Sequence, residues 1–223
     1  MKREMHDPEF WDTWWQQDRL AHSSFVFPFL EAPLIQYRGQ SHDVANRDHL
    51  LIAMMLQHGL KTILCAGNGV SQEPRALANV GFKVTVLDLS PTAIRVAKVP
   101  RLDLDHFHRF CGRDAVPRFD GDLDFVVGDF LDRNVCPGPF DVIIERRTIQ
   151  RFPEEERPAA LEALAARLNM VGVVVSHCNN PDYLQTRFHP SESWFRERNW
   201  TIWDGVPGET LTGQVAWLLR SYS

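Results

Sequence analysis

Residues 61–65 (KTILC) form a short apolar run, and the turn Gly67-Asn68-Gly69 follows it almost at once. A capped helical stretch then runs over 71–79 and stops at Gly81. This strand, glycine turn and helix constrain the fold more than any other feature. Glycine permits backbone angles that other residues avoid, and it lets another group approach the main chain closely. The helix that follows points its free N–H groups back toward the turn.

The alternation continues down the chain. Residues 83–87 (KVTVL) read as a second strand ending at Asp88, and Ser90-Pro91 opens another helix with a capping residue and a proline. Residues 124–127 and 140–144 read as the third and fourth strands. A helix over 154–168 carries Leu161, Leu164 and Leu168 on one face, and residues 172–176 (GVVVS) form a fifth strand. Residues 200–203 and 214–219 read as two closing strands. Near-continuous apolar strands alternating with helices imply a parallel sheet covered on both faces. The expected fold class is therefore α/β, a Rossmann-like doubly wound sheet of about seven strands. Residues 1–223 read as a single domain, with an N-terminal helical cap over 1–60 and a core over 61–223.

The cap opens on Asp7-Pro8-Glu9, a helix start that leads into Phe10, Trp11, Trp14 and Trp15. An irregular stretch with Phe25, Phe27 and Phe29 follows, then a second helix over about 46–57. Four aromatics on one helical face usually serve packing. They also suit a lid that excludes water and attracts a cation.

Composition excludes several classes. A net charge of −5, with no dense basic cluster, argues against a nucleic-acid partner. No run of about 18 apolar residues is present, so no membrane span is expected. Four well-separated cysteines and no signal-like leader suit reduced thiols and a cytoplasmic location. His106, His108, Cys111 and Asp114 are metal-competent types, but their spacing matches no familiar site, and no metal is expected.

Asp88 stands 21 residues after Gly67 at a strand end, where an acid accepts hydrogen bonds from a ribose diol. The dinucleotide fingerprint needs a third glycine, and Gln72 occupies that place. A phosphate-free nucleoside cofactor tolerates that departure better than NAD does.

Cys65-Ala66-Gly67-Asn68-Gly69-Val70-Ser71 resembles the first motif of the class I S-adenosylmethionine-dependent methyltransferases. That motif reads acid-x-Gly-x-Gly-x-Gly. Cys65 replaces its acid and Ser71, read as a helix N-cap, replaces its last glycine; Glu73 is the candidate substitute for the missing charge. The resemblance implies that Asp88, with Leu89 and Ser90 beside it, holds the ribose. It implies that Asp129 and Phe130, after the third strand, hold the adenine. It also implies an antiparallel hairpin for the two closing strands. The stretch Asp141-Val142-Ile143-Ile144-Glu145-Arg146 and the pair Trp11-x-x-x-Trp15 are similar to the thiopurine methyltransferase-like branch.

The expected cofactor is S-adenosyl-L-methionine and the expected partner a small-molecule acceptor. Cys65, Ala66, Gly67, Asn68, Gly69, Asp88, Leu89, Ser90, Asp129, Phe130, Glu145, Trp11 and Trp15 are the candidate cofactor residues. Glu145 and Arg146 are the candidate catalytic residues at the carboxyl ends of the strands, with His177 nearby. The alternatives are a non-catalytic binder of S-adenosylmethionine or S-adenosylhomocysteine, and an NAD(P)-dependent oxidoreductase.

Overall fold

Apolar strands that cannot face water on either side stack into one sheet. The computed structural model describes residues 7–16, 55–99, 121–146, 148–179, 197, 201–203 and 214–221. Its strands are β1 (Thr62–Ala66), β2 (Lys83–Asp88), β3 (Leu123–Val127), β4 (Phe140–Arg146), β5 (Leu168–Asn179), β6 (Thr201–Trp203) and β7 (Gln214–Ser221). They form a Rossmann-like sheet in the order β3-β2-β1-β4-β5-β7-β6. Its helices are α1 (Pro8–Gln16), α2 (Glu73–Val80), α3 (Pro91–Lys98) and α4 (Arg157–Ala165), with a 3-10 turn over Ile149–Arg151. Among the described residues no helix is long and apolar enough to cross a membrane.

Alternation along each strand sends neighbouring side chains to opposite faces. Leu64, Ala66, Leu87, Ile143 and Val174 meet Leu161 and Leu164 of α4 in one buried cluster with Phe130 and Phe152. Ile63, Cys65, Val84, Val86, Val142, Ile144, Val173 and Val175 are also buried. Each such aliphatic side chain contributes about 1.5–3 kcal/mol through burial.

The closing strands depart from expectation. β7 lies between β5 and β6, and it runs parallel to both. Among the described residues the two closing strands form no antiparallel hairpin. Residues 204–213 separate the two strands, a longer connection than the two to five residues of a tight hairpin. The expected helix over 46–57 falls mostly outside the described residues. The Phe25–Phe29 stretch and the His106, His108, Cys111 and Asp114 set fall wholly outside them. Among the described residues no group of three or more His, Cys, Asp or Glu could hold a metal ion.

Two polar clamps hold the frame. Asp141 sits in a bulge where β4 shifts register against β5. One carboxylate oxygen accepts from the Lys61 and Thr62 N–H groups (2.8 and 2.9 Å) and from Thr62 Oγ1 (3.0 Å). The other accepts from Asn169 Nδ2 (2.6 Å). Burial pushes this carboxyl up, but the bonds from Lys61, Thr62 and Asn169 outweigh it and hold the group below its ordinary range. A depressed folded pKa gives stability that is complete above the unfolded value, near 3.9, and lost as pH falls through the folded one. The wild type should therefore lose thermal stability below about pH 4, whereas Asp141→Asn should be less stable at neutral pH and show a flatter acid limb. Melting curves from pH 2 to 7 test this; parallel acid limbs would assign the loss to other carboxyls.

The second clamp is Arg167, which is fully buried. Its guanidinium donates to the carbonyls of Asp132 (2.6 Å), Val135 (3.0 Å), Cys136 (3.0 Å) and Ala163. It thus ties the end of α4 to the loop after β3, the loop that begins with Gly128-Asp129-Phe130. Arg167→Met leaves buried carbonyls without donors and should lower unfolding free energy by about 2 kcal/mol. Chemical denaturation measures this; an unchanged midpoint would show that water replaces the clamp.

Candidate functional site

The site begins where β1 ends. Cys65 and Ala66 are buried strand residues, and the chain then turns through Gly67 (φ +63°) and Gly69 (φ +58°). Both angles lie in the left-handed region that favours glycine. The Gly67 N–H donates to the Leu87 carbonyl at 2.8 Å, so the turn stays bound to β2. Asn68 Nδ2 donates to the Ser71 carbonyl (3.1 Å) and the Gly69 carbonyl (3.3 Å).

The close approach that glycine permits is made here by protein groups. A Cβ on Gly67 would stand 2.2 Å from Thr148 Oγ1, and one on Gly69 would stand 2.6 Å from Trp15 Cζ2. Thr148 Oγ1 donates to the Gly67 carbonyl at 3.1 Å. The N-cap of α2 is Gln72 rather than Ser71. Ser71 Oγ instead accepts from the Glu73 N–H at 3.2 Å, from one residue ahead of the N-cap. Glu73 is buried at the start of α2.

Asp88 closes β2 and is buried. Its Oδ2 accepts from the Gly69 N–H (2.7 Å) and its Oδ1 from the Ser90 N–H (2.9 Å). Burial pushes the carboxyl up, against the backbone N–H groups of Ser90, Gly69 and Leu89. An ionised carboxylate has about four acceptor sites, so capacity remains for a ligand hydroxyl. Ser90 caps α3, accepting from the Ala93 N–H at 3.1 Å, as Ser90-Pro91 led us to expect.

α1 docks against this corner. Asp7 Oδ1 accepts from the Glu9 N–H at 2.9 Å, which confirms the expected helix start. Trp15 packs with Val70, Ala93 and Val96. Trp11 lies in a second aromatic group, edge-on to Phe10 (5.2 Å) and Trp14 (5.9 Å). Asp12 Oδ1 accepts from Ser90 Oγ (2.8 Å) and the Thr92 N–H (2.7 Å). Partial burial opposes ionisation of Asp12, yet bonds from Thr92, Ser90 and Gln16 hold its carboxyl below the ordinary range.

Asp129 Oδ1 accepts from the Leu131 N–H at 2.8 Å. Phe130 is a core residue, packed edge-on to Phe152 at 5.7 Å. Glu145 is fully buried at the end of β4. Its Oε1 accepts from Ser176 Oγ, and its Oε2 accepts from the Thr148 and Ile149 N–H groups (3.1 and 3.0 Å). Arg146 and His177 pair in register across β4 and β5, and their side chains lie outside the description.

Sequence reading missed Asp12, Thr148, Ser176 and Arg167. Only Asp12 left a signal, standing three residues before Trp15 on the same helical face.

No protein-family model and no curated protein matches the chain. Among solved structures, it is similar to one reported for conversion of a disulfide bond into a thioacetal group during echinomycin biosynthesis. That match has 28% identity and a TM-score of 0.41, over 56% of this chain and 48% of the other, so the chain spans about half of it. It is also similar to magnesium protoporphyrin IX methyltransferase from Synechocystis PCC 6803 with bound S-adenosylhomocysteine: 16% identity, 73% and 68% coverage, TM-score 0.45. A third likeness is to plantazolicin methyltransferase in complex with a monoazolic desmethylPZN analog and S-adenosylhomocysteine: 17% identity, 78% and 56% coverage, TM-score 0.48.

Proposed function

We propose that this chain is an S-adenosyl-L-methionine-dependent methyltransferase acting on a small molecule. The observation that carries the proposal is Asp88: a buried carboxylate at the carboxyl end of β2, bonded to the Gly69 N–H of the β1–α2 turn. Ligands of open α/β sheets bind at that edge.

Gln72 favours this cofactor over a dinucleotide. It is buried where the fingerprint's third glycine would stand, and its Nε2 donates to the Ala97 carbonyl at 3.2 Å. Its Oε1 accepts from Arg75 Nε at 3.3 Å. A side chain of that size departs from the close helix-on-strand packing that the third glycine gives a dinucleotide fold.

Bound S-adenosylmethionine supplies an activated methyl group on a sulfonium, and transfer is an in-line displacement by the acceptor's nucleophile. The chain's task is then alignment and exclusion of water. Gly67, Asn68 and Gly69 present the turn, with Cys65 and Ala66 fixing its start. Asp88 receives the ribose, with Leu89 and Ser90 shaping its backbone cradle. Asp129 receives the adenine amino group, and Phe130 anchors that loop in the core. Trp11 and Trp15 belong to the cap. Glu145 acts as a positioning residue: its bonds to Thr148 and Ser176 brace the turn at Gly67. Arg146 stands at the acceptor side. The likeness of Trp11-x-x-x-Trp15 and of residues 141–146 to the thiopurine methyltransferase-like branch supports a small acceptor.

Methyl transfer to a panel of oxygen, nitrogen and sulfur nucleophiles, followed by mass spectrometry, tests the activity. The expected result is a product 14 Da heavier together with S-adenosylhomocysteine, the mass difference of CH2 on transfer. Cys65 favours one second reading, because a buried thiol stands where the motif has an acid. Tight S-adenosylhomocysteine binding without turnover of any acceptor would select that reading, a non-catalytic binder.

A further inference from the structure

The α1 helix touches both of the groups that donate to Asp88 at the shortest distances. Asp88 accepts from Gly69 N–H and Ser90 N–H. Trp15 lies against Gly69, and Asp12 accepts from the Ser90 hydroxyl. Asp12 and Trp15 are three residues apart, so one helical face makes both contacts.

We propose that Asp12 is a positioning residue: it latches α1 onto the first turn of α3 and so holds Gly69 and Ser90 in the geometry that receives the cofactor's ribose. The inference rests on reading Asp88 as the ribose acid. Three observations carry it. First, Asp12 Oδ1 takes two bonds at once, from a side chain and from the Thr92 backbone, which fixes its direction. Second, Gln16 Nε2 donates to Asp12 Oδ2 at 2.9 Å from the next turn of the same helix, so the carboxylate is held before it meets α3. Third, a negative group at the N-terminus of α3 meets the positive end of the helix dipole. Ser90 joins the two acids, because its N–H serves Asp88 while its hydroxyl serves Asp12. Release of Asp12 frees that hydroxyl and lifts Trp15 from Gly69 in the same motion. No contact between Asp12 and the cofactor is required.

The test is S-adenosylhomocysteine titration calorimetry on the full chain and on Asp12→Ala, Trp15→Ala and the double variant, beside amide exchange of residues 8–16 without ligand. Asp12→Ala should weaken binding on the order of tenfold, as expected for loss of hydrogen bonds to a charged group, and should speed exchange in α1. The double variant should lose little more than the worse single one, because either change releases the same helix. Asp12→Asn keeps one acceptor oxygen and should fall between wild type and Asp12→Ala, which preserves the test if the alanine variant folds poorly. Wild-type affinity and unchanged α1 protection in Asp12→Ala would overturn the latch while leaving the cofactor reading intact. Fully additive losses would overturn it as well. Failure of the wild type itself to bind S-adenosylhomocysteine would overturn the ribose role of Asp88 and the latch with it.

Discussion

Asp88→Asn is expected to weaken S-adenosylhomocysteine binding on the order of 100-fold, while the variant still folds. The two effects separate because of where the carboxylate sits. Without ligand, Asp88 is buried and its charge is opposed by desolvation, with Gly69, Leu89 and Ser90 N–H groups in compensation. Asparagine keeps one carbonyl oxygen for these donors. Its amide nitrogen, however, must face either the Gly69 or the Ser90 N–H, a donor against a donor. That conflict costs about 1–3 kcal/mol of stability, reduced by relief of the buried charge. Binding has no such relief. Ribose hydroxyls lose a charged acceptor, and hydrogen bonds to charged groups are worth about 1.5–3 kcal/mol each. Calorimetry and a denaturation curve on the same preparation separate the terms. Wild-type affinity in the folded variant would place the ribose elsewhere.

Gly67→Ala is expected to be the most damaging single change at the turn. Alanine at φ +63° is disfavoured by roughly 1–2 kcal/mol. Its methyl carbon would also stand 2.2, 2.5 and 2.8 Å from three atoms of Thr148. Relief requires Thr148 to move, which gives up its hydroxyl bond to the Gly67 carbonyl and strains its N–H bond to Glu145. Overpacking of this kind adds about 1–3 kcal/mol. The sum, about 3 kcal/mol, should appear as a lower unfolding midpoint together with loss of cofactor binding. Gly59→Ala is the matched control. Its φ is +65°, but nothing lies within 4 Å of its added carbon, so it should show the backbone cost alone. Equal losses in the two variants would remove Thr148 from the account.

What could be read in advance was local. The β1 run, the glycine turn, Asp88 and the Ser90-Pro91 helix start all depend on residues within a few positions of one another. What could not be read depended on distant partners. Glu145 looks like a reactive acid at a strand end. It becomes an internal brace only because Ser176, 31 residues away, and the backbone after Arg147 close around it. Asp12 looks like an exposed helix acid, yet its partner Ser90 is 78 residues on. Arg167 reads as a solvated arginine after a helix and is fully buried. The direction of β7 was likewise illegible, since an apolar strand can pair either way.

Thermal unfolding of the wild-type chain with each candidate ligand separates S-adenosylmethionine chemistry from dinucleotide chemistry. S-adenosylhomocysteine at 100 times its dissociation constant should stabilise the fold by about 2.7 kcal/mol. For a domain of this size that is a rise of roughly 5–10 °C in Tm, with no rise from NADH. A chain stabilised by NADH and unmoved by S-adenosylhomocysteine would contradict the account.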